Sequence, residues 1–417
     1  MDPIRNPYAP GAGQRPPELA GRDEQLDAFD VVLERVARGR PERSVVLTGL
    51  RGVGKTVLLN TLRSAAVRAG WGTGKLEARP DQSLRRPLAS AVHQAVRELG
   101  PSGGAGDHAL GVVRSFAQRE PEGGGRGRSA PRLKDRWNPG IQVPAVAGRA
   151  DSGDIEIDLV ELLTDLGGMA ADTGRGIAVF VDEMQDLGPD DVSALCAAAH
   201  EISQSGLPLV VVGAGLPHLP AVLSASKSYS ERLFRYSRID RLDRSAADAA
   251  LVRPAAEEGA QYAPDALDAM YAATGGYPYF VQAYGKAVWD RAPGSPITVA
   301  DVDVARPEAE AELAVGFFGS RYERATPGER EYLRAMAEVA AATTGPSGAA
   351  PDALPGGPAD EPEAVPTAEV AARLGRKPQS LSPARDALLK KGLIYSGERG
   401  LIAFTVPHFG RYLRDHT

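Results

Sequence analysis

At 417 residues, with 43% apolar and 24% charged side chains, the chain has the composition of a soluble globular protein and the length of two or three domains. A single cysteine, Cys196, excludes an internal disulfide, no Cys/His cluster offers a zinc site, and no apolar run reaches the roughly 18 residues that a membrane span needs. The formal charge of −6 is uneven: residues 367–417 hold nine Lys/Arg against four Asp/Glu, a net of +5 that leaves −11 on the rest, and this basic end hints at a polyanion partner.

Met1–Pro7 has no apolar signal-peptide core, so a cytoplasmic location without membrane contact is expected. Residues 1–18, rich in Pro and Gly, read as an extended arm. Helical periodicity starts after Gly21-Arg22, with Leu26, Phe29, Val32, Leu33 and Val36. Ser44–Thr48 reads as a buried strand, followed by a glycine-rich loop and a helix through Val57–Leu62. Leu84–Leu99 reads as a further helix. Residues 100–153, with the stretch Glu120–Pro131 at their centre, are Gly/Pro/Ser/Arg-rich and read as a flexible surface insertion. A helix over Ile155–Leu166 and buried strands over Ile177–Val181 and Leu207–Val212 follow, then a fifth strand over Tyr236–Leu242. Apolar strands alternating with helices predict an α/β fold with a parallel sheet covered on both faces.

From about 245 the pattern is helical. Thr326-Pro327-Gly328-Glu329 is a capping box with Pro at the first helical position. Residues 343–366 read as a loop, and the last 50 as helix (Thr367–Leu374), turn, helix (Ser382–Lys391), two short strands around Ser396–Gly400 and a terminal helix. That order is the layout of a winged helix, with Val370, Leu374, Leu381, Leu388, Leu389, Leu393 and Ile394 as its core. The expected division is therefore an arm at 1–18, a nucleotide-binding core at 19–242, a helical lid at 243–321 and a winged helix at 322–417.

Gly49-Leu50-Arg51-Gly52-Val53-Gly54-Lys55-Thr56 matches G-x-x-x-x-G-K-[ST] between a strand and a helix. Glycines let successive N–H groups converge on phosphate oxygens, and the helix N-terminus adds its positive dipole end. Residues Gly49 to Val57 are thus the expected phosphate cradle, with Lys55 on the β- and γ-phosphates of ATP and the Thr56 hydroxyl on Mg2+. Asp182 and Glu183 end an apolar strand; Asp182 is expected on the Mg2+ shell and Glu183 as the carboxylate that polarises the attacking water. An intact Glu183 points to an ATPase rather than a structural nucleotide-binding subunit.

With these boxes in place, the sequence resembles the AAA+ P-loop ATPases. Leu19-Ala20-Gly21-Arg22-Asp23-Glu24 resembles the GR-x-x-E box of the branch holding origin-recognition-type initiators, archaeal ATPases and STAND regulators, and Gly275-Gly276-Tyr277-Pro278 resembles the G-x-P motif of the lid. The resemblance implies that Gly21, Arg22, Tyr277 and Pro278 face the nucleotide, and that Arg232 lies in the arginine-finger region, where it would serve a neighbouring copy through self-association. Two departures stand out: Gly213-Ala214-Gly215 supplies no first-sensor side chain, and the lid shows Tyr277-Pro278 where initiators carry an arginine.

In a winged helix, Lys377, Gln379, Ser380 and Arg385 would lie at or before the second helix and Arg399 at the wing tip, positions suited to double-stranded DNA. Such domains also dock proteins. The expected function is Mg-dependent ATP hydrolysis driving conformational switching coupled to DNA or a DNA-bound partner. The alternative is a STAND-type signalling or defence switch whose winged helix packs on its own ATPase core and holds ADP; the sensor repeats of such switches are not expected in a sequence ending at Thr417.

Overall fold

Ser44–Thr48 (β1) and Ile177–Asp182 (β3) are buried at every position, as strands covered on both faces must be. Leu209–Gly215 (β4), equally buried, lies between them, and Gly72–Glu77 (β2) and Phe234–Arg238 (β5) complete a five-stranded sheet in the order β2-β3-β4-β1-β5. All pairings are parallel. Thr48 pairs with Gly215 across β1 and β4, and Val181 with Gly213 across β3 and β4, so the loops after β1 and β3 emerge together at the C-terminal edge. Open α/β sheets bind ligands at that edge. The computed structural model describes residues 1–11, 13–80, 82–100, 103–118, 141–344, 364–396, 400–406 and 408–416.

Side chains alternate between two cores. Val45, Leu47, Phe180 and Val212 pack on one face with Phe29, Val32 and Leu33 of Asp23–Ala37 (α1) and Leu58, Leu59 and Leu62 of Lys55–Arg68 (α2). Val46, Val179, Val181 and Val211 face the other core. It is filled by Arg85–Leu99 (α3), Gly104–Gln118 (α4), Ile155–Asp172 (α5) and Pro189–Gln204 (α6). A buried ion pair, Arg85 to Asp158 at 2.8 Å, joins α3 to α5, while Arg85 also donates to the Phe116 carbonyl of α4 at 3.0 Å. Leu219–Ser226 (α7) and Ser230–Leu233 (α8) lead into β5.

Four elements in and around the parallel sheet differ from the sequence reading. Strand β2 is absent from it because Gly72 and Gly74 resemble loop residues; they are glycines because the α3 backbone, at the carbonyls of Ala95 and Ala91, occupies the space a Cβ would need. Helix α4 stands in the segment expected to be a flexible insertion. Ala109, Val112, Val113 and Phe116 recur at helical spacing and are buried, and that burial overrides the glycines at the helix start. Residues after 140 are held too: Arg114 donates to the Val143 carbonyl at 2.7 Å and Ser115 to that of Val146 at 2.7 Å. Strand β4 runs on through Gly213-Ala214-Gly215, and β5 starts at Phe234 rather than Tyr236. The stretch Glu120–Pro131 and most of the expected loop at 343–366 lie outside the described residues.

The lid comprises Arg244–Glu257 (α9), Pro264–Thr274 (α10), Pro278–Arg291 (α11) and Val299–Glu312 (α12). A seven-residue π-helix, Leu313–Gly319, and the short helix Ser320–Tyr322 (α13) lead to Pro327–Thr344 (α14). The capping box forms: Glu329 accepts from the Thr326 N–H at 2.8 Å, and Thr326 Oγ1 accepts from the Glu329 N–H at 3.4 Å. Beyond it come Val365–Pro366 (β6), Thr367–Arg373 (α15), Pro378–Lys390 (α16), Ile394–Tyr395 (β7), Leu401–Phe404 (β8) and Phe409–His416 (α17), with an antiparallel sheet in the order β6-β8-β7. Helix α16 begins at Pro378, four residues before the expected start, with proline at its first turn where no N–H is needed.

This C-terminal module shares its core with the lid: Phe318 stacks on Phe409 and on Tyr412, at 6.1 and 5.2 Å between centroids. The N-terminal arm is strapped across α9 and α11. The Trp289 indole donates to the Asp2 carbonyl at 2.9 Å, Asn6 to Asp290 at 2.7 Å, and the buried Tyr8 hydroxyl to the Leu251 carbonyl at 2.7 Å.

Candidate nucleotide site

The loop Gly49–Thr56 turns from β1 into α2 with Gly52 and Gly54 at φ of +86° and +90°, a left-handed backbone that only glycine adopts freely. Lys55 opens α2 and is buried; its ammonium donates to the carbonyls of Gly49 at 3.0 Å and Leu50 at 2.8 Å. Burial lowers its pKa to about 8, against the upward pull of Glu183. Asp182 closes β3, buried, with Lys75 at 3.9 Å, and accepts from the Glu183 N–H at 3.0 Å.

Glu183 itself stands at φ +51°, ψ +42°, a left-handed conformation that costs a non-glycine residue about 1 kcal/mol or more and clusters at functional sites. Its two carboxylate oxygens have separate partners: Arg51 at 3.3 Å and Gln185 Nε2 at 2.6 Å. Gln185 is fixed in turn, since its Oε1 accepts from the Leu216 N–H at 3.0 Å just past the glycines of β4. So the place where a first-sensor side chain was missing from β4 is occupied from the neighbouring loop. Nearby, burial and the Glu183 charge raise the Asp186 carboxyl to about 6.

Arg51 has two further partners, both in the C-terminal module. Its backbone N–H donates to the Thr405 carbonyl at 3.0 Å and its side-chain Nε to the Gly392 carbonyl at 3.3 Å. The lid reaches the loop too: the Tyr279 N–H donates to the Gly52 carbonyl at 3.3 Å.

A cavity of about 360 Å³ lies over the loop. Arg51 to Val57 line it, together with Arg22, Glu183 and Pro278. The Arg22 guanidinium is buried and donates to the carbonyls of Val53 at 3.1 Å and Asp240 at 2.6 Å, so it braces the loop against the exit of β5. Gly21 is not itself in the wall, although Ala20 and Arg22 on either side of it are. Tyr277 corrects the expectation: it is buried away from the cavity against Phe280 and His408, and Tyr279, two residues on, takes the wall instead. Tyr277 is turned inward because its position is the N-cap of α11, ahead of the helical face that meets the loop. Arg232 is exposed on α8 and not part of the wall.

Lys377, Gln379 and Ser380 are exposed at the start of α16, whereas Arg385 is half-buried, ion-paired to Asp386 at 3.1 Å and near Tyr332 of α14, whose hydroxyl is pushed up to about 12 by burial against the opposing pull of the Arg385 charge. Arg385 thus lies beside α14 and Asp386. Arg399 lies outside the described residues.

Parts of the wall that escaped sequence reasoning include the arm residues Ala9, Pro10 and Gly11, the lid residues Tyr279, Gln282 and Phe317, and Arg321. The arm offered one signal, an aromatic residue (Tyr8) inside a Pro/Gly stretch, which marks an anchor. Arg321 offered none.

Residues 18–212 match the family model of the AAA ATPase domain. The chain carries an AAA-type P-loop ATPase domain. Residues 315–413 of this ATPase match a second family, Domain of unknown function (DUF8462). Among solved structures the ATPase is similar to a Walker-type ATPase of Pyrococcus abyssi, at 15% identity over 96% of this chain and 97% of that one, with a TM-score of 0.54, a likeness of fold. Cdc6p from Pyrobaculum aerophilum (15% identity, 100% and 97% covered, TM-score 0.42) and the Orc1 protein of Aeropyrum pernix in complex with DNA (16%, 96% and 94%, 0.44) are also similar, at scores that carry no argument. No curated protein matches the chain.

Proposed function

We propose that this ATPase is a conformational switch, in which Mg-dependent ATP binding and hydrolysis govern whether the C-terminal module, a winged helix in this reading, stays docked on the phosphate loop. One observation carries the proposal. Arg51, inside the loop, holds Glu183 and two carbonyls of the module at once. A terminal phosphate competing for Arg51 would free Glu183 and loosen the module in the same event. This arrangement favours a module that docks on its own ATPase core.

In this scheme the loop amides and Lys55 take the β- and γ-phosphates, and Glu183 orients the attacking water. Thr56 lines the cavity and the buried Asp182 stands one residue before Glu183, so the pair suits Mg2+ held between a hydroxyl, a carboxylate and phosphate oxygens. When bound, the cation offsets the charge that builds on those oxygens. Glu183→Gln, which keeps shape and hydrogen bonding, should bind ATP as the wild type does and leave it unhydrolysed; wild-type turnover in that variant removes Glu183 from the role.

A second reading, coupling to duplex DNA, rests on the side-by-side exposure of Lys377, Gln379 and Ser380 at the free N-terminal end of α16. Fluorescence anisotropy with duplex DNA at low salt tests it, with and without ATP. No binding in either condition removes the reading.

A further inference from the structure

We infer that Lys75, on the strand next to the one that Asp182 ends, is an internal counter-cation that weakens the hold of Asp182 on the divalent cation and so ties cation binding to the arrival of the polyphosphate. This rests on reading Asp182 and Thr56 as the Mg2+ pair.

Strand register places the lysine. β2 and β3 run parallel, with Lys75 beside Phe180 and Glu77 beside Asp182, and residues two apart on a strand share a face. Phe180 packs in the same core as Leu58, Leu59 and Leu62 of α2, so Lys75 and Asp182 both stand on the α2 side of the sheet. On α2, Thr56 and Asn60 are four residues apart and share a helical face. Asn60 and Lys75 therefore form a layer directly beneath Thr56 and Asp182.

The ammonium is tethered short of the carboxylate. It donates to Asn60 Oδ1 at 2.5 Å and stops 3.9 Å from Asp182 Oδ2, within ion-pair range but beyond hydrogen-bond reach. Asn60 is oriented for this, since its Nδ2 faces the Gly13 carbonyl of the arm at 3.5 Å. Asp182 Oδ1 accepts from the Glu183 N–H, which leaves Oδ2 as the oxygen whose charge Lys75 and a bound cation would share. Lys75 thus offsets the charge of Asp182 without covering that oxygen. A lysine serving only to fix the carboxylate would close to the shorter distance of a charge-assisted hydrogen bond.

The neighbouring carboxylate is treated alike, for Glu183 faces Arg51 at 3.3 Å. Both acidic side chains at the end of β3 therefore carry a partner of opposite charge from within the chain. An empty site so compensated offers a divalent cation little net negative charge, and phosphate oxygens supply what is missing. The Asp182 side chain is only 7% exposed, a setting in which solvent screens a unit charge poorly. Lys75 acts through Asp182 and is a positioning residue.

The test is calorimetry on the full chain, measuring how far saturating Mg2+ tightens adenylyl-imidodiphosphate relative to the same titration in EDTA. Wild type, Lys75→Met, Lys75→Arg and Asp182→Asn are compared. Lys75→Met keeps the stem and removes the charge, so the Mg2+ effect should grow about tenfold, whereas Lys75→Arg keeps the charge and should stay within about threefold of wild type. Lys75→Gln carries the comparison if Lys75→Met does not fold. An Mg2+ effect that is unchanged or smaller in the neutral variants overturns the inference, a smaller one being what a lysine that merely holds Asp182 in place would give. A gain in Lys75→Arg equal to that in Lys75→Met overturns it too, because charge would then not be the cause. Asp182→Asn separates the two claims. No Mg2+ effect in wild type, or an undiminished one in Asp182→Asn, would refute the cation pair and the inference with it. An effect lost in Asp182→Asn, with no gain in the neutral Lys75 variants, would refute only the role given to Lys75.

Discussion

Lys55→Ala tests the pocket with the greatest leverage. The side chain is 8% exposed, with both recorded contacts to carbonyls of its own loop, so an arriving polyphosphate gains a cation already desolvated and in place. Charge-assisted bonds of this kind contribute roughly 1.5–3 kcal/mol each. Loss of a single one should raise the Kd for Mg-ATP at least about tenfold, and loss of two a hundredfold or more. The pH dependence sharpens the test. Burial holds the free-protein pKa at about 8, below the ordinary lysine value, and a bound phosphate raises it. Affinity is therefore fully present below pH 8 and falls as pH rises above it, by up to tenfold per unit, until the pKa of the complex is reached. Calorimetry of Mg-ATP binding from pH 7 to 9.5, on wild type and Lys55→Ala, measures both effects, and the slope should vanish in the variant. Unchanged affinity in Lys55→Ala, or an equal slope in both proteins, would refute the reasoning.

Tyr8→Ala removes a buried ring whose hydroxyl bonds Leu251 and Tyr262; by analogy with large aromatic truncations it should cost about 3–5 kcal/mol in denaturant unfolding, and it should weaken nucleotide binding because Ala9 to Gly11 line the cavity. Lys377→Ala should flatten the salt dependence of any duplex binding by about one unit of slope in log K against log salt. An unchanged slope places Lys377 off the phosphate backbone.

The parts of the site legible in the sequence are those whose chemistry is local. Gly49–Thr56 must be glycine-rich because its own backbone binds, and Asp182-Glu183 follows a strand whose burial shows as an unbroken apolar run. Elements formed by tertiary contact were hidden. Strand β2 reads as a loop because α3 presses on Gly72 and Gly74, and α4 reads as an insertion because its glycines mask four apolar positions. In the lid, Pro278 lines the cavity, whereas Tyr277 stands in the core and Tyr279 takes the wall beside it. Arg321 could not be foreseen, since a lone arginine after two phenylalanines acquires meaning only when the lid folds over the loop. The basic end of the chain is legible as a charge excess, but not that Arg385 pairs with Asp386 within the module.

The central claim, that nucleotide governs docking of the C-terminal module on the phosphate loop, is tested most directly by hydrogen exchange across the segment Leu401–Val406, whose Thr405 carbonyl accepts the Arg51 N–H. The comparison is between the ADP-bound chain and the Glu183→Gln chain holding unhydrolysed ATP. The account predicts slower exchange in that segment with ADP and faster exchange with ATP, accompanied by a matching change at Gly49–Thr56. Identical exchange in the two states would contradict it.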